Sequence, residues 1–376
     1  MAPTEILAQQ HFEVLSPLCT RLGVRLGLLT GRDKGKNRDA TLNALARGEI
    51  DILIGTHAIF QEGIEFKDLA FAVIDEQHRF GVHQRLALTA KAGGGKANLL
   101  VMTATPIPRT LTMTAYGDMD VSRLDEKPPG RVPVDTRAMP LERLGEVVQA
   151  VRRAVADGER VYWVCPLVEE SDVLDVAAAE DRFAFLVEEL GEQVALLHGR
   201  MKSTHKDAEM KKFANGTISV LVATTVVEVG VDVPEATIMV VEHAERFGLA
   251  QLHQLRGRIG RGTRQGRCIM LYAAPLGDTA RARIRIMRDT DDGFRIAEED
   301  LRLRGAGEIL GTRQSGLPDF RLADIGAHEE LMLAARDDAK LILEQDPNFS
   351  GDRGQALRVL LYLFERDAAV AYLRSG

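Results

Sequence analysis

The chain has 376 residues, 45% hydrophobic and 27% charged, with a formal net charge of −7. That length suggests two domains plus an appendage, and the negative balance argues against a general basic coat while leaving room for a local basic track. Aromatic content of 5% argues against a base-stacking platform, three scattered cysteines argue against a zinc or disulfide frame, and no apolar run reaches the roughly 18 residues of a membrane span.

In chain order, residues 4–22 and 37–48 have helical periodicity, and the apolar runs 50–56, 69–76 and 98–105 read as buried strands. Continuous apolar strands separated by helices imply a parallel sheet covered on both faces. Three prolines and a glycine in "KPPGRVPV" (127–134) mark a linker. The alternation restarts with a helix over 141–158 and strands over 160–168, 193–199, 218–225, 237–244 and 266–273. From about 276 onward the strands stop: 277–310 is arginine-rich and helix-compatible, 311–320 is a loop, and the rest reads as amphipathic helices. The fold class is α/β, with two parallel-sheet domains over 1–127 and 128–275 and a helical region over 276–376.

The second apolar run, 69–76, ends in Asp75 and Glu76. Ligands of open α/β sheets bind at the carboxyl ends of the strands. There, one carboxylate can hold Mg²⁺ through water and the other can orient the water that attacks a phosphate. The plainer reading is an acidic turn, which is common. Thr103 and Thr105 follow the next strand, where hydroxyls more often serve turns and caps. Thr4, Thr56 and His57 stand at element ends where backbone N–H groups and hydroxyls can grip phosphates, although a single histidine is more often structural. Gln254, Arg258 and Arg261 have the spacing of one helix face, yet Gly257, Gly260 and Gly262 argue against an ordinary surface helix. Close approach to a phosphate or another domain would explain those glycines. From Arg246 to Arg304 there are thirteen arginines and no lysine, a bias toward oriented ion pairs or a nucleotide-contacting finger. A phosphate loop of the form G-x-x-x-x-G-K-[S/T] is missing: "GRDKGKN" (31–37) and "GGGKAN" (93–98) both fail in spacing or hydroxyl.

The ordered set Pro3-Thr4-Glu5, Gly55-Thr56-His57, Asp75-Glu76-Gln77-His78, Thr103-Ala104-Thr105, His198-Gly199-Arg200, "ATTVVEVGVDVP" (223–234) and "QLRGRIGRG" (254–262) resembles the superfamily 2 helicase series without its first member. "DEQHRFGVHQR", "TATPIPRT" and "DLRLRGAGEILGTRQSG" narrow the resemblance to the RecG family of branched-DNA helicases. The last of these blocks is similar to that family's TRG motif. The transcription-repair coupling translocases share this module, but their acid box differs from Asp75-Glu76-Gln77-His78.

The resemblance implies two RecA-like domains, the first incomplete, with ATP and Mg²⁺ as nucleotide and metal. It implies that Asp75 and Glu76 serve the metal and the attacking water, that Gln77 and His78 sense the nucleotide, and that Gln254, Arg258 and Arg261 reach it from the second domain. It assigns coupling to Thr103, Ala104, Thr105, Gly230 and Asp232, and nucleic-acid contact to Pro3, Thr4, Thr56, His57, His198, Arg200 and Thr224. Arg283, Arg304 and Gln314 match the transmission module. Branched double-stranded DNA is the implied partner, single-strand-binding protein a candidate one, and a monomer in the bacterial cytoplasm, associated with the nucleoid, the expected setting. Lacking a phosphate-loop lysine and the family's wedge domain, the chain reads as a C-terminal piece expected not to hydrolyse ATP. The alternatives are a non-catalytic DNA- or partner-binding segment and the motor of a transcription-coupled translocase.

Overall fold

The central strands of the second half are apolar along nearly their whole length, so they must bury both faces. In the computed structural model, which describes residues 1–61, 63–76, 97–104, 120–166, 172–224, 233–262, 264–311 and 329–363, they do so in one six-stranded parallel sheet. Its strands are β5 (Asp135–Pro140), β6 (Arg160–Val164), β7 (Val194–Leu197), β8 (Val220–Ala223), β9 (Ala236–Val241) and β10 (Arg267–Tyr272), in the order β5-β10-β9-β6-β8-β7. Alternate residues separate into two cores. Tyr162, Val164, Leu221, Met239, Val241 and Met270 enter one. Val161, Trp163, Val220, Val222, Ile238 and Val240 enter the other, beneath α3 (Leu144–Ala156) and α4 (Asp172–Leu190). Each such side chain, fully buried, contributes about 1.5–3 kcal/mol. α5 (Ser203–Ala214) brings Met210 and Phe213 to the first of these cores.

The first half is built on α1 (Glu5–Leu22), β1 (Leu26–Leu29), α2 (Gly35–Arg47), β2 (Ile52–Gly55), β3 (Phe71–Ile74) and β4 (Asn98–Val101). β1 pairs with β2 and β3 with β4, all parallel. Met1 and Ala2 join the two pairs. Ala2 N donates to Gly55 O at 2.9 Å, the Met1 ammonium to Val73 O at 2.7 Å, and Asp75 N to Met1 O at 3.0 Å. Gly55 has no room for a side chain, since a Cβ there would lie 2.0 Å from Leu29 O.

α6 (Leu249–Arg256) lies between β9 and β10, and α7 (Asp278–Asp289), α8 (Gly293–Gly311), α9 (Glu329–Gln345) and α10 (Asp352–Leu363) follow β10. The expected helices and strands recur among the described residues with bounds that differ by a few residues, and 120–134 holds no helix or strand. β1, β5, α4 and α5 were not anticipated. One expectation is corrected: Gln254, Arg258 and Arg261 do not share a helix face, because α6 stops at Arg256. Gly260 takes φ +66°, a left-handed conformation that a continuing helix cannot contain. A Cβ on Gly262 would meet Pro234 O at 2.7 Å, and one on Gly260 would meet Gly266 N at 3.2 Å. These glycines therefore admit close backbone approach inside their own domain.

Candidate functional site

Asp75 and Glu76 follow β3 directly, at the carboxyl edge of the first sheet. Asp75 Oδ1 accepts the Glu76 N–H at 2.9 Å, and Oδ2 faces His11 Nε2 at 3.3 Å. Glu76 has φ +52°, left-handed backbone that costs a non-glycine residue on the order of 1–3 kcal/mol and recurs where geometry serves a site. Burial lowers the pKa of the neighbouring Met1 amine, and the Asp75 charge partly opposes it. Two carboxylates are the hard oxygen donors Mg²⁺ accepts, and its usual site has one or two of them, the other positions going to water and phosphate. Among the described residues no group of three or more His, Cys, Asp or Glu is placed to hold a metal.

Thr103 and Ala104 lie just past β4, on the strand beside β3. Gln77, His78, Thr105, Gly230, Asp232 and Gln314 fall outside the described residues, and of Arg304 only its place in α8 is described.

The residues assigned to nucleic acid stand at carboxyl ends of strands or at a helix start. Thr4 caps α1, its Oγ1 accepting Leu7 N at 3.4 Å, and Pro3 precedes it. Thr56 follows β2 with Oγ1 buried and no hydrogen-bond partner among the described residues, and His57 opens the 3-10 turn after it. His198 follows β7 with Nδ1 in the same condition; Arg200 is exposed, and Thr224, just past β8, is buried. A buried polar atom left unpaired is costly, so Thr56 and His198 are sites where a ligand oxygen or water would be welcome.

In the second domain, Gln254 sits in α6, while Arg258 and Arg261 lie in the turn beyond it. Arg261 Nε donates to Gly257 O at 3.1 Å. The sheet's own crevice, where the β6 and β9 connections diverge, is filled from within. Glu242 accepts Trp163 Nε1 at 2.5 Å and Arg182 Nε and Nη2 at 2.5 and 2.9 Å. Burial, and then Glu242, push the nearby Cys165 thiol well above the ordinary thiol range.

Sequence reasoning missed three residues here. His11 carried no signal beyond being one histidine on an amphipathic helix. Arg256 was counted in the arginine run but not separated from it. It is 4% exposed, and its Nη1 donates to Met287 O at 2.7 Å and Thr290 O at 2.8 Å. Its Nη2 meets His253 Nδ1 at 3.2 Å. Burial, then the Arg256 and Lys127 charges, push His253 down to about 4, against the opposing Asp291 and Asp292. Arg283 of α7 returns the contact, donating to Phe247 O at 2.8 Å and Glu245 O at 3.3 Å ahead of α6.

Three family models match the chain: DEAD/DEAH box helicase over residues 1–114, helicase conserved C-terminal domain over 142–263, and "ATP-dependent DNA helicase RecG, domain 3, C-terminal" over 290–361. The ATP-dependent DNA helicase RecG of Escherichia coli K12 is 50% identical over 351 residues, covering 92% of this chain and 51% of its own length. That of Haemophilus influenzae is 47% identical over 352 residues, covering 93% and 51%. The chain thus spans about half the length of the curated relatives it matches. A solved structure of RecG bound to a three-way DNA junction superimposes with a TM-score of 0.70 at 41% identity, covering 88% of this chain and 43% of that one. A helicase MrfA structure with DNA, at 16% identity and TM-score 0.57, covers 89% and 48% and shares the fold.

Proposed function

From the chain's membership of the RecG family of ATP-dependent DNA helicases, we propose that it is the motor segment of an enzyme that couples ATP hydrolysis to remodelling of branched DNA, in forks and Holliday junctions. The observation that carries this reading is the acid pair at the carboxyl edge of β3, tied through Met1 and Ala2 to the helix whose cap, Thr4, is assigned to nucleic acid. We divide the chain at 1–127, 128–275 and 276–376: a partial first motor domain, a second motor domain and a helical transmission region.

In this reading Asp75 and Glu76 are the residues that would hold Mg²⁺, which when bound would supply neutralisation of phosphate charge. Glu76 takes the proton of the attacking water. Gln77 and His78 report on the nucleotide, and Arg258 and Arg261, with Gln254, bring positive charge to the γ-phosphate from the second domain. Such an arginine is worth roughly 10³–10⁵ in rate. Thr103, Thr105, Gly230 and Asp232 convert domain closure into movement of nucleic acid held by Pro3, Thr4, Thr56, His57, His198, Arg200 and Thr224. Arg283, Arg304 and Gln314 pass that movement to the duplex.

The 376-residue sequence contains no phosphate-loop lysine motif, so the chain by itself releases no phosphate from ATP on forked DNA. Robust turnover would reveal a phosphate cradle of another kind. A chimera that adds the part of the Escherichia coli relative outside the match restores DNA-stimulated hydrolysis, and Glu76→Gln in it abolishes turnover while sparing ATP binding. Near-normal turnover of that variant would overturn the assignment of Glu76.

A further inference from the structure

We propose that His11 is a positioning residue for Asp75 and that α1 thereby ties the nucleic-acid track to the acid pair. The inference rests on the helicase reading for its purpose but on geometry for its existence. Asp75 closes β3, its main chain fixed by the N–H donated to Met1 O at 3.0 Å. One carboxylate oxygen takes the Glu76 N–H at 2.9 Å, leaving Oδ2 as the oxygen whose direction must be set from outside β3. His11 Nε2 lies 3.3 Å from it. Imidazole donating to the free oxygen of a carboxylate fixes the carboxylate's rotation, as outer partners do around metal-binding acids.

The source of that imidazole makes the contact more than local. Thr4, Ala8 and His11 are spaced four and three residues apart, so they share one face of α1. Thr4 caps the helix, Ala8 is fully buried against Ala2 and Ile54, and His11 stands about 10 Å along the axis from Thr4 at 1.5 Å per residue. A helix held at its cap and along this face moves as a rod. A displacement of Thr4 by a bound phosphate therefore reaches Oδ2 of Asp75 through α1, without passing through the second domain. The Glu76 backbone, left-handed and hydrogen-bonded to the same carboxylate, is next in line.

The test uses the 376-residue chain labelled with ¹⁵N only in its nine histidines, at an alkaline pH where imidazoles are neutral. The His11 signal is identified by its loss in His11→Gln. The expected result is a single tautomer with the proton on Nε2, which becomes a mixture in Asp75→Ala while the other histidine signals stay in place. An Nδ1–H tautomer or an even mixture in the wild type overturns the contact, and that result decides even if Asp75→Ala fails to fold. Adding a synthetic forked duplex is then expected to shift the His11 signal in proportion to DNA bound, measured in parallel by fluorescence anisotropy. Binding that leaves His11 unmoved overturns the link through α1. Absence of DNA binding overturns the nucleic-acid reading and the link with it, while the wild-type tautomer still decides the His11–Asp75 contact. In the chimera, loss of a partner of this kind is expected to raise the Mg²⁺ requirement for hydrolysis about 10–100-fold in His11→Ala, with recovery in His11→Gln, whose amide N–H also donates. An unchanged requirement in His11→Ala overturns the positioning role.

Discussion

His253 shows how one buried side chain gives the molecule a pH dependence. It accepts from Arg256 at Nδ1, and with a pKa pushed down to about 4 it stays neutral where a free histidine is charged. Between about 6.5 and about 4 the unfolded chain therefore binds a proton that the folded chain refuses. Stability from this group is whole above that window and is lost as the pH falls through it, by on the order of 2–3 kcal/mol. His253→Asn keeps an acceptor near Arg256 and removes the titration. Its denaturant midpoint is expected to fall less steeply on acidification than that of the wild type. Identical slopes would mean that His253 is solvated and ordinary. Cys268, pushed up to about 12 by burial, is likewise a core group, and all three cysteines are buried. None of this was legible in sequence, because a histidine beside arginines on a helix reads the same whether it faces water or core.

At the scale of elements, α6 and α7 clamp each other at both ends. Arg256, the last residue of α6, occupies carbonyls at the carboxyl end of α7, where helices leave acceptors open. Arg283 of α7 occupies the carbonyls that lead into α6. Arg256→Ala leaves buried acceptors unpaired and is expected to cost about 2–4 kcal/mol in a denaturant midpoint, with faster hydrogen exchange in the last turn of α7. Arg281→Ala, an exposed pair with Asp278 one turn away, is expected to change little. If the two variants were equally mild, the clamp would be decoration. The contrast also explains what sequence could and could not deliver. β6, β8 and β9 were legible because strands buried on both faces are apolar throughout. β5 was not, since an edge strand carrying Asp135 and Arg137 needs only partial burial. Arg256 and Arg258 were alike as letters. Only the stop of α6 at Gly257 sends one inward and the other into the turn beyond.

Across the whole molecule, the two halves touch through Arg32, which follows β1. It reaches Glu5 at 2.5 Å within the first half and Asp207 of α5 at 2.6 Å in the second. Arg32 keeps its proton more firmly because of these partners, the Asp207 hydrogen bond foremost. The bridge has a flaw: Asp207 Oδ1 is buried with no partner among the described residues. A half-exposed pair with that defect is worth about 1 kcal/mol, too little to lock a hinge but enough to shift its opening equilibrium about fivefold. On the proposed motor reading, it is the scale of contact expected between domains that would separate in each cycle, since a much stronger one would have to be broken by the nucleotide. Because the native cysteines are buried, dyes on cysteines introduced at exposed positions of α2 and α5 can report the interdomain distance without interference. Arg32→Glu is expected to lengthen that distance, and so is Asp207→Arg. The double exchange is expected to restore it, because it rebuilds the pair with the signs reversed, except that Glu5 then faces the carboxylate introduced at position 32. A Glu5→Gln background removes this last repulsion and sharpens the restoration. Raised salt is expected to bring the wild type and the single variants toward a common distance, because screening weakens the attraction in one and the repulsion in the others. A distance indifferent to all of these changes would place the hinge elsewhere, with Lys127 of the linker and Asp291 beyond α7, themselves ion-paired, as the next contact to break.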